Sequence, residues 1–298
     1  MIHRKLRNSD WQGVVERFEK KLGNCKGKLL SSGGRLVLIN SVLSNLPIFM
    51  MSFFEIPTGI LEKLDFIRSR FYWQGGNHKK KYRLTKWNIV CQPKYLGSLG
   101  VVNLAVKNCC LLSKWLYKLL TEDGIWQQIL TNKYLGSKSL TQVSQKPDDS
   151  HFWSSLMKVK DEFLGLGTFE VGAGNQTRFW EDIWTNNKPL KEQFPSLYNI
   201  VRRKNSLVSD VIRSSHLNLS FRRPIVGVKF TEWQLMMAQL SMVRLGDEHD
   251  KFKWGAHKTG VFSVWSMYAL LMNTPNINHN VWLWKLKLPL KIKSSFGI

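Results

Sequence analysis

From Leu36 to Phe54 the chain runs nineteen residues without a charged side chain, and no other stretch limits the possible folds as much. A helix of that length could cross a bilayer; the same stretch could also form the buried face of a core. Its internal pattern favours the core. Asn40, Ser41, Ser44, Asn45 and Ser52 interrupt it. Pro47 divides it, because proline removes an N–H and clashes with the preceding turn. Leu36, Ile39, Leu43 and Leu46 fall at i, i+3, i+7 and i+10, a one-sided stripe and not an all-round apolar surface. Two buried helical segments meeting at Pro47 are expected, with no membrane span.

The flanking sequence continues in helical periods. Ser9 or Asp10 can cap a first helix by accepting from an orphan backbone N–H. Its apolar face is Trp11, Val14, Val15, Phe18 and Leu22, and Arg17, Lys20 and Lys21 lie off that face. After a loop over 23–32, a helix from about Gly33 to Leu46 follows. Thr58 caps the next one, in which Ile60, Leu64, Ile67 and Phe71 repeat while Lys63, Arg68 and Arg70 sit off the stripe. Gly75-Gly76 ends it, since glycine adopts positive φ without steric cost. Residues 77–102 read as irregular with a helical turn at Trp87–Cys91. Long helices are then expected over 103–120 and 125–134.

Residues 137–150 are polar and read as a linker. Beyond it, a helix over 152–164 precedes an expected hairpin: Phe169-Glu-Val, a turn at Gly172-Ala-Gly-Asn175, then Thr177 to Trp184. Residues 185–230 are mixed and carry the basic cluster Arg202, Arg203, Lys204. Helical signals return over 232–245 and 265–272, with short strands expected at Phe252–Trp254 and Val261–Val264.

Charge indicates the sign of a partner. The chain holds 44 Lys and Arg against 21 Asp and Glu, a net charge of +23. Residues 1–120 hold 21 of the basic and 6 of the acidic side chains. Neutralising phosphates releases condensed counterions, so a polyanion is the leading partner; solubility or an anionic membrane surface would fit the same sign. Cys25, Cys91, Cys109 and Cys110 contain no Cys-x-x-Cys and form no disulfide framework. The opening Met-Ile-His-Arg-Lys-Leu-Arg carries no signal-peptide core. An intracellular location, nucleus or cytoplasm, is expected.

Candidate chemistry is sparse. Polymerases hold Mg²⁺ with two or three converging carboxylates. The acidic doublets Glu122-Asp123, Asp148-Asp149, Glu181-Asp182 and Asp247-Glu248 lie outside any hydrophobic-strand and tight-turn setting. The glycines match neither a phosphate loop nor a dinucleotide fingerprint. His216, His249, His257 and His279 lack the closely spaced Cys or His partners a zinc site needs. Gly33-Gly34 opens a helix beside Lys26, Lys28 and Arg35, an arrangement suited to one backbone phosphate. Most of the tryptophans fall on core faces. Trp73, followed by Gln-Gly-Gly and Lys79-Lys80-Lys81, is the candidate for base stacking.

Several runs occur in a specific order: Leu-Ser-Ser-Gly-Gly-Arg-Leu-Val-Leu-Ile from Leu30, Leu46-Pro to Ile56-Pro, and Phe71-Tyr-Trp-Gln-Gly-Gly76. Lys86-Trp-Asn-Ile-Val-Cys-Gln-Pro-Lys94 and Leu96-Gly-Ser-Leu-Gly-Val101 follow, then Lys114-Trp-Leu and Arg178-Phe-Trp-Glu-Asp-Ile-Trp184. This succession resembles the region after the polymerase core in LINE-type (non-LTR) retrotransposon reverse transcriptases, especially plant ones. The resemblance implies that the first part is the helical thumb that clasps template and primer. Residues 260–293 resemble the opening of the family's zinc-binding region. The resemblance places both the palm aspartates and the zinc ligands outside this chain. Cys25 stands where relatives usually have Trp, and Gly34 where Ala is common.

The expected fold class is mainly α: a helical thumb-like bundle over 1–136, a linker at 137–150, and a truncated α+β region over 151–298. The expected function is sequence-independent binding of RNA, RNA–DNA hybrid or DNA backbone by Lys26, Lys28, Arg35, Arg68, Arg70, Lys79, Lys80, Lys81, Arg83 and Lys86, with Trp73 stacking. No catalytic residue, metal site, cofactor, membrane or small-molecule substrate is expected; Mg²⁺ and Zn²⁺ belong to a full-length relative. A truncated polymerase or accessory nuclease, and a transposon relic without function, are the alternatives.

Overall fold

A computed structural model describes residues 7–23, 29–74, 85–212 and 217–273. The chain is mainly helical, as the periodicity predicts. In order come α1 (Gln12–Gly23), α2 (Ser32–Leu38), α3 (Ile48–Met51), α4 (Thr58–Gln74), α5 (Trp87–Val90), α6 (Leu104–Thr121), α7 (Ile125–Leu130) and α8 (His151–Leu164). Then follow β1 (Gly167–Glu170), α9 (Leu190–Gln193), α10 (Pro195–Ile200), α11 (Val208–Ile212), α12 (Val228–Leu240), β2 (Lys251–Trp254) and α13 (Val264–Met272). No described helix is long and apolar enough to cross a membrane.

Two compact units emerge. The first comprises Met1–Ser113, Asp148–Leu156 and Ser263–Ile298; the second comprises Lys114–Pro147 and Met157–Phe262. The chain passes between the units within α6, within α8, between Phe262 and Ser263, and between Pro147 and Asp148 inside the polar stretch 137–150.

In the first unit the uncharged stretch folds as expected. Ser31 accepts the Gly34 N–H at 3.1 Å and starts α2. A π-helical turn, Ile39–Leu43, continues it, and Pro47 stands at the N-cap of α3. Ile39, Leu43 and Met51 are fully buried against Trp11, Val15 and Phe18 of the N-terminal helix and Leu64 of α4. Two amides complete this core where no strand could. Asn108 on α6 donates to Met51 O at 2.7 Å and Phe54 O at 3.0 Å and accepts from Ile56 N–H at 2.9 Å. Asn40 bonds both ways to the 100–102 segment, donating to Gly100 O and accepting from Val102 N–H, each at 3.2 Å. Gly100 reaches this position with φ +66, a conformation that side-chain-bearing residues rarely adopt.

The hairpin expected at 169–184 is not formed. Strand β1 pairs antiparallel with the distant β2, with Gly167 opposite Trp254 and Phe169 opposite Phe252. The reason is the fate of the intervening glycine loop. A Cβ on Gly172 would lie 2.1 Å from Glu248 O, so this backbone presses against the approach to β2 and cannot turn back on itself. Residues 177–184 form a buried knot, where Phe179 and Trp180 are fully buried and join Leu197, Val208, Val211 and Met236 in the second unit's core. Phe163, Phe252, Trp254 and Phe262 make a separate aromatic cluster, with Phe163 and Trp254 stacked at 5.7 Å. Of the two strands expected near the C-terminal end, 252–254 forms and 261–264 does not.

Candidate nucleic-acid interface

Four of the ten expected phosphate-binding cations fall among the described residues, and the structure separates them. Lys26, Lys28, Lys79, Lys80, Lys81 and Arg83 lie outside the described residues. Arg70, on the outer side of α4, is exposed and bonds Gln74, from Nε to Oε1 at 3.3 Å. Lys86, the residue before α5, is exposed as well. Neither forms an ion pair among the described residues. Arg17, Lys20 and Lys21 are exposed cations on α1, which packs beside α4.

Arg68 requires a correction. Its side chain is 0 % exposed, although it was expected to reach a phosphate. It donates to Val102 O at 2.8 Å and Ser44 Oγ at 3.1 Å, pairs with Asp65, and lies 5.6 Å over the Trp87 ring. A guanidinium fits an interior only when several acceptors replace its water. Here it ties α4 to the π-helical turn and to the 100–102 segment. The helix period held a clue: Ile60, Leu64 and Arg68 are spaced four apart, and the buried face drifts from Ile67 toward them.

Arg35 is half-buried, and its charge opposes the burial that raises the Tyr72 hydroxyl's pKa. At the start of α2 the Gly34 and Arg35 N–H groups both bond Ser31, so the cap satisfies donors that a phosphate would have used. Trp73 is also reassigned. It packs on the first core, edge-on to Tyr72 at 4.8 Å, with Nε1 buried and lacking an acceptor among the described residues. Its ring is half-buried at the edge of that core, with only part of its surface open.

One member of each of three acidic doublets serves local structure. Glu122 pairs with Lys118 at 3.3 Å and accepts from Gln127. Glu248 pairs with Lys251 at 2.9 Å, a bond that lowers its pKa. Asp182 is buried and accepts from Arg178 N–H and Thr141 Oγ, each at 2.7 Å. Burial outweighs those bonds and pushes its pKa up to about 6. Among the described residues no three His, Cys, Asp or Glu side chains converge into a metal-holding group.

Sequence reading missed Asp250. Its two oxygens accept from the N–H groups of Gly172, Gly174, Gln176 and Thr177 and from Thr177 Oγ, all within 2.8–2.9 Å. Burial acts to raise its pKa, but these donors together outweigh it and the net shift is downward. The glycine loop is thus wrapped around one carboxylate, a pairing no local sequence signal announces.

No family model matches the chain. It is 29 % identical over 307 aligned residues to a protein of Arabidopsis thaliana named as a ribonuclease H protein. The match covers 99 % of this chain and 48 % of that protein, so the chain spans about half the length of its curated relative.

Proposed function

We propose that this chain is a nucleic-acid-gripping part of a LINE-type reverse transcriptase, holding RNA, hybrid or DNA through its phosphates and performing no chemistry itself. The observation that carries the reading is the cation excess of residues 1–120, 21 against 6, with Arg70 and Lys86 exposed and unengaged by carboxylates among the described residues. The order of motifs over 30–101 and 178–184 supports the family, and the relative's ribonuclease H name supports nucleic acid as the ligand. The ligand set is Lys26, Lys28, Arg35, Arg70, Lys79, Lys80, Lys81, Arg83 and Lys86, with Arg68 removed as structural. Phosphate contacts position a protein without reading sequence. Changing Lys79, Lys80, Lys81 and Lys86 to Gln should therefore weaken binding equally on unrelated sequences. The slope of log affinity against log salt should fall by about one for every phosphate that is no longer neutralised. Fluorescence anisotropy across a salt series checks this, and a loss confined to one sequence refutes it.

A further inference from the structure

The triplet Arg202-Arg203-Lys204 plays no part in that grip and lies in the second unit. Directly after α10 the chain makes an isolated antiparallel bridge, Val201 to Phe221. Arg202 N–H donates to Ser220 O at 2.9 Å and Arg222 N–H to Ile200 O at 2.8 Å. This bridge sets Arg222 against the triplet, and between them opens a cleft of about 540 Å³ lined by Arg202, Arg203, Lys204, Asn205, Asn218 and Arg222. The carboxylate at its wall, Asp210, accepts the Leu207 N–H at 3.2 Å. No ion pair engages the four cations among the described residues. Residues 195–231 hold seven Lys and Arg, with Asp210 as the sole acid.

Two of the cations are held in place. Arg202 Nε donates to Phe221 O at 3.1 Å, and Lys204 Nζ sits 4.4 Å over the Tyr198 ring. Arg203 and Arg222 are exposed. Crowding like charges around one concavity is unfavourable until an anion enters, and it focuses the field there. Guanidinium forks match phosphate oxygens in pairs, and the Asn205 and Asn218 amides add neutral donors and acceptors along the same walls.

We propose that this cleft binds the phosphodiester backbone of a nucleic-acid strand, as a second grip independent of the first unit's cations. The test uses the full chain with a labelled single-stranded RNA and anisotropy over a salt series. Arg203→Gln combined with Arg222→Gln removes two exposed cations that make no described side-chain bond. The salt slope should fall by about 1.4, the counterion release of two single-strand phosphates. Arg203→Glu with Arg222→Glu should weaken binding further. On the unaltered chain, RNA should slow backbone hydrogen exchange over 200–206 and 218–223, a readout that needs no variant to fold.

An unchanged slope in the Gln pair, or absent exchange protection in a chain that binds RNA, overturns the cleft and leaves the first unit's grip standing. Weaker binding by the Gln pair with no effect of the Lys79, Lys80, Lys81 and Lys86 changes supports the cleft and overturns the first grip. Equal displacement of RNA by inorganic phosphate from the unaltered chain and the Gln pair supports a strand site, whereas displacement confined to the unaltered chain marks a single-phosphate pocket and overturns it. A chain that binds no RNA in dilute salt overturns both.

Discussion

Two aspartates in the second unit show how a residue's surroundings, not its type, set its chemistry. Asp250 receives five donors and its pKa moves down; Asp182 receives two in a buried knot and its pKa moves up to about 6. The two respond oppositely to acid. Asp250's contribution is complete above its unfolded pKa, near 3.9, and is lost as pH falls through its lower folded value. Asp182 binds its proton more tightly in the folded chain, so its contribution is complete below that unfolded pKa and declines as pH rises to about 6. Above that, the buried carboxylate is a standing cost. Asp182→Asn keeps an acceptor for Arg178 N–H and can donate to Thr141, so it should remove the decline. Between pH 4 and 6.5 the variant should gain on the parent by on the order of 2 kcal/mol. Urea unfolding at several pH values checks this, and parallel profiles would show that Asp182 is not the group responsible.

At the scale of elements, side-chain amides take over work that a sheet would do elsewhere. Asn108 satisfies three backbone groups of the segment joining α3 to α4 from a position that is 3 % exposed. Asn108→Ala removes the partner of all three, two of them in buried bonds and the Phe54 carbonyl in a part-buried one, at about 1 kcal/mol each. A loss on the order of 3 kcal/mol is expected in denaturant unfolding. Asn40→Ala, whose partners are only partly buried, should cost visibly less. Equal costs would show that the amides act by filling space and not by bonding. Helix positions were legible in the sequence here because an amphipathic stripe records its own buried face: Trp11, Val14, Val15 and Phe18 lie inside as their spacing requires. The β1–β2 pairing was not legible, because its partners, Gly167 with Trp254 to Glu170 with Lys251, lie far apart in the chain and no short-range spacing records them.

For the whole molecule, charge and carboxylate placement argue in the same direction. A net charge of +23 favours a polyanion, while Glu122 and Glu248 sit in salt bridges and Asp182 in the buried knot. Purified chain given primed template, deoxynucleotides and Mg²⁺ should bind without extending the primer. An extension product that depends on this chain would restore the polymerase reading and overturn the non-catalytic one. The candidate interface was only half visible beforehand. The abundance of cations could be counted, but Arg68 looked available and proved internal, and Trp73 proved half-buried against the first core. The Arg202 to Lys204 triplet read as an isolated cluster until the Val201–Phe221 bridge supplied a facing wall.

The sequence by itself determined the main helices of the first unit, the break at Pro47, the excess of positive charge and the apolar faces, because each is written in short-range spacing or in composition. Tertiary structure alone decided which cations stay in water, which strand finds which, and where a lone carboxylate gathers a glycine loop. Those outcomes depend on groups far apart in the chain, and burial free energy is settled only when their surfaces meet.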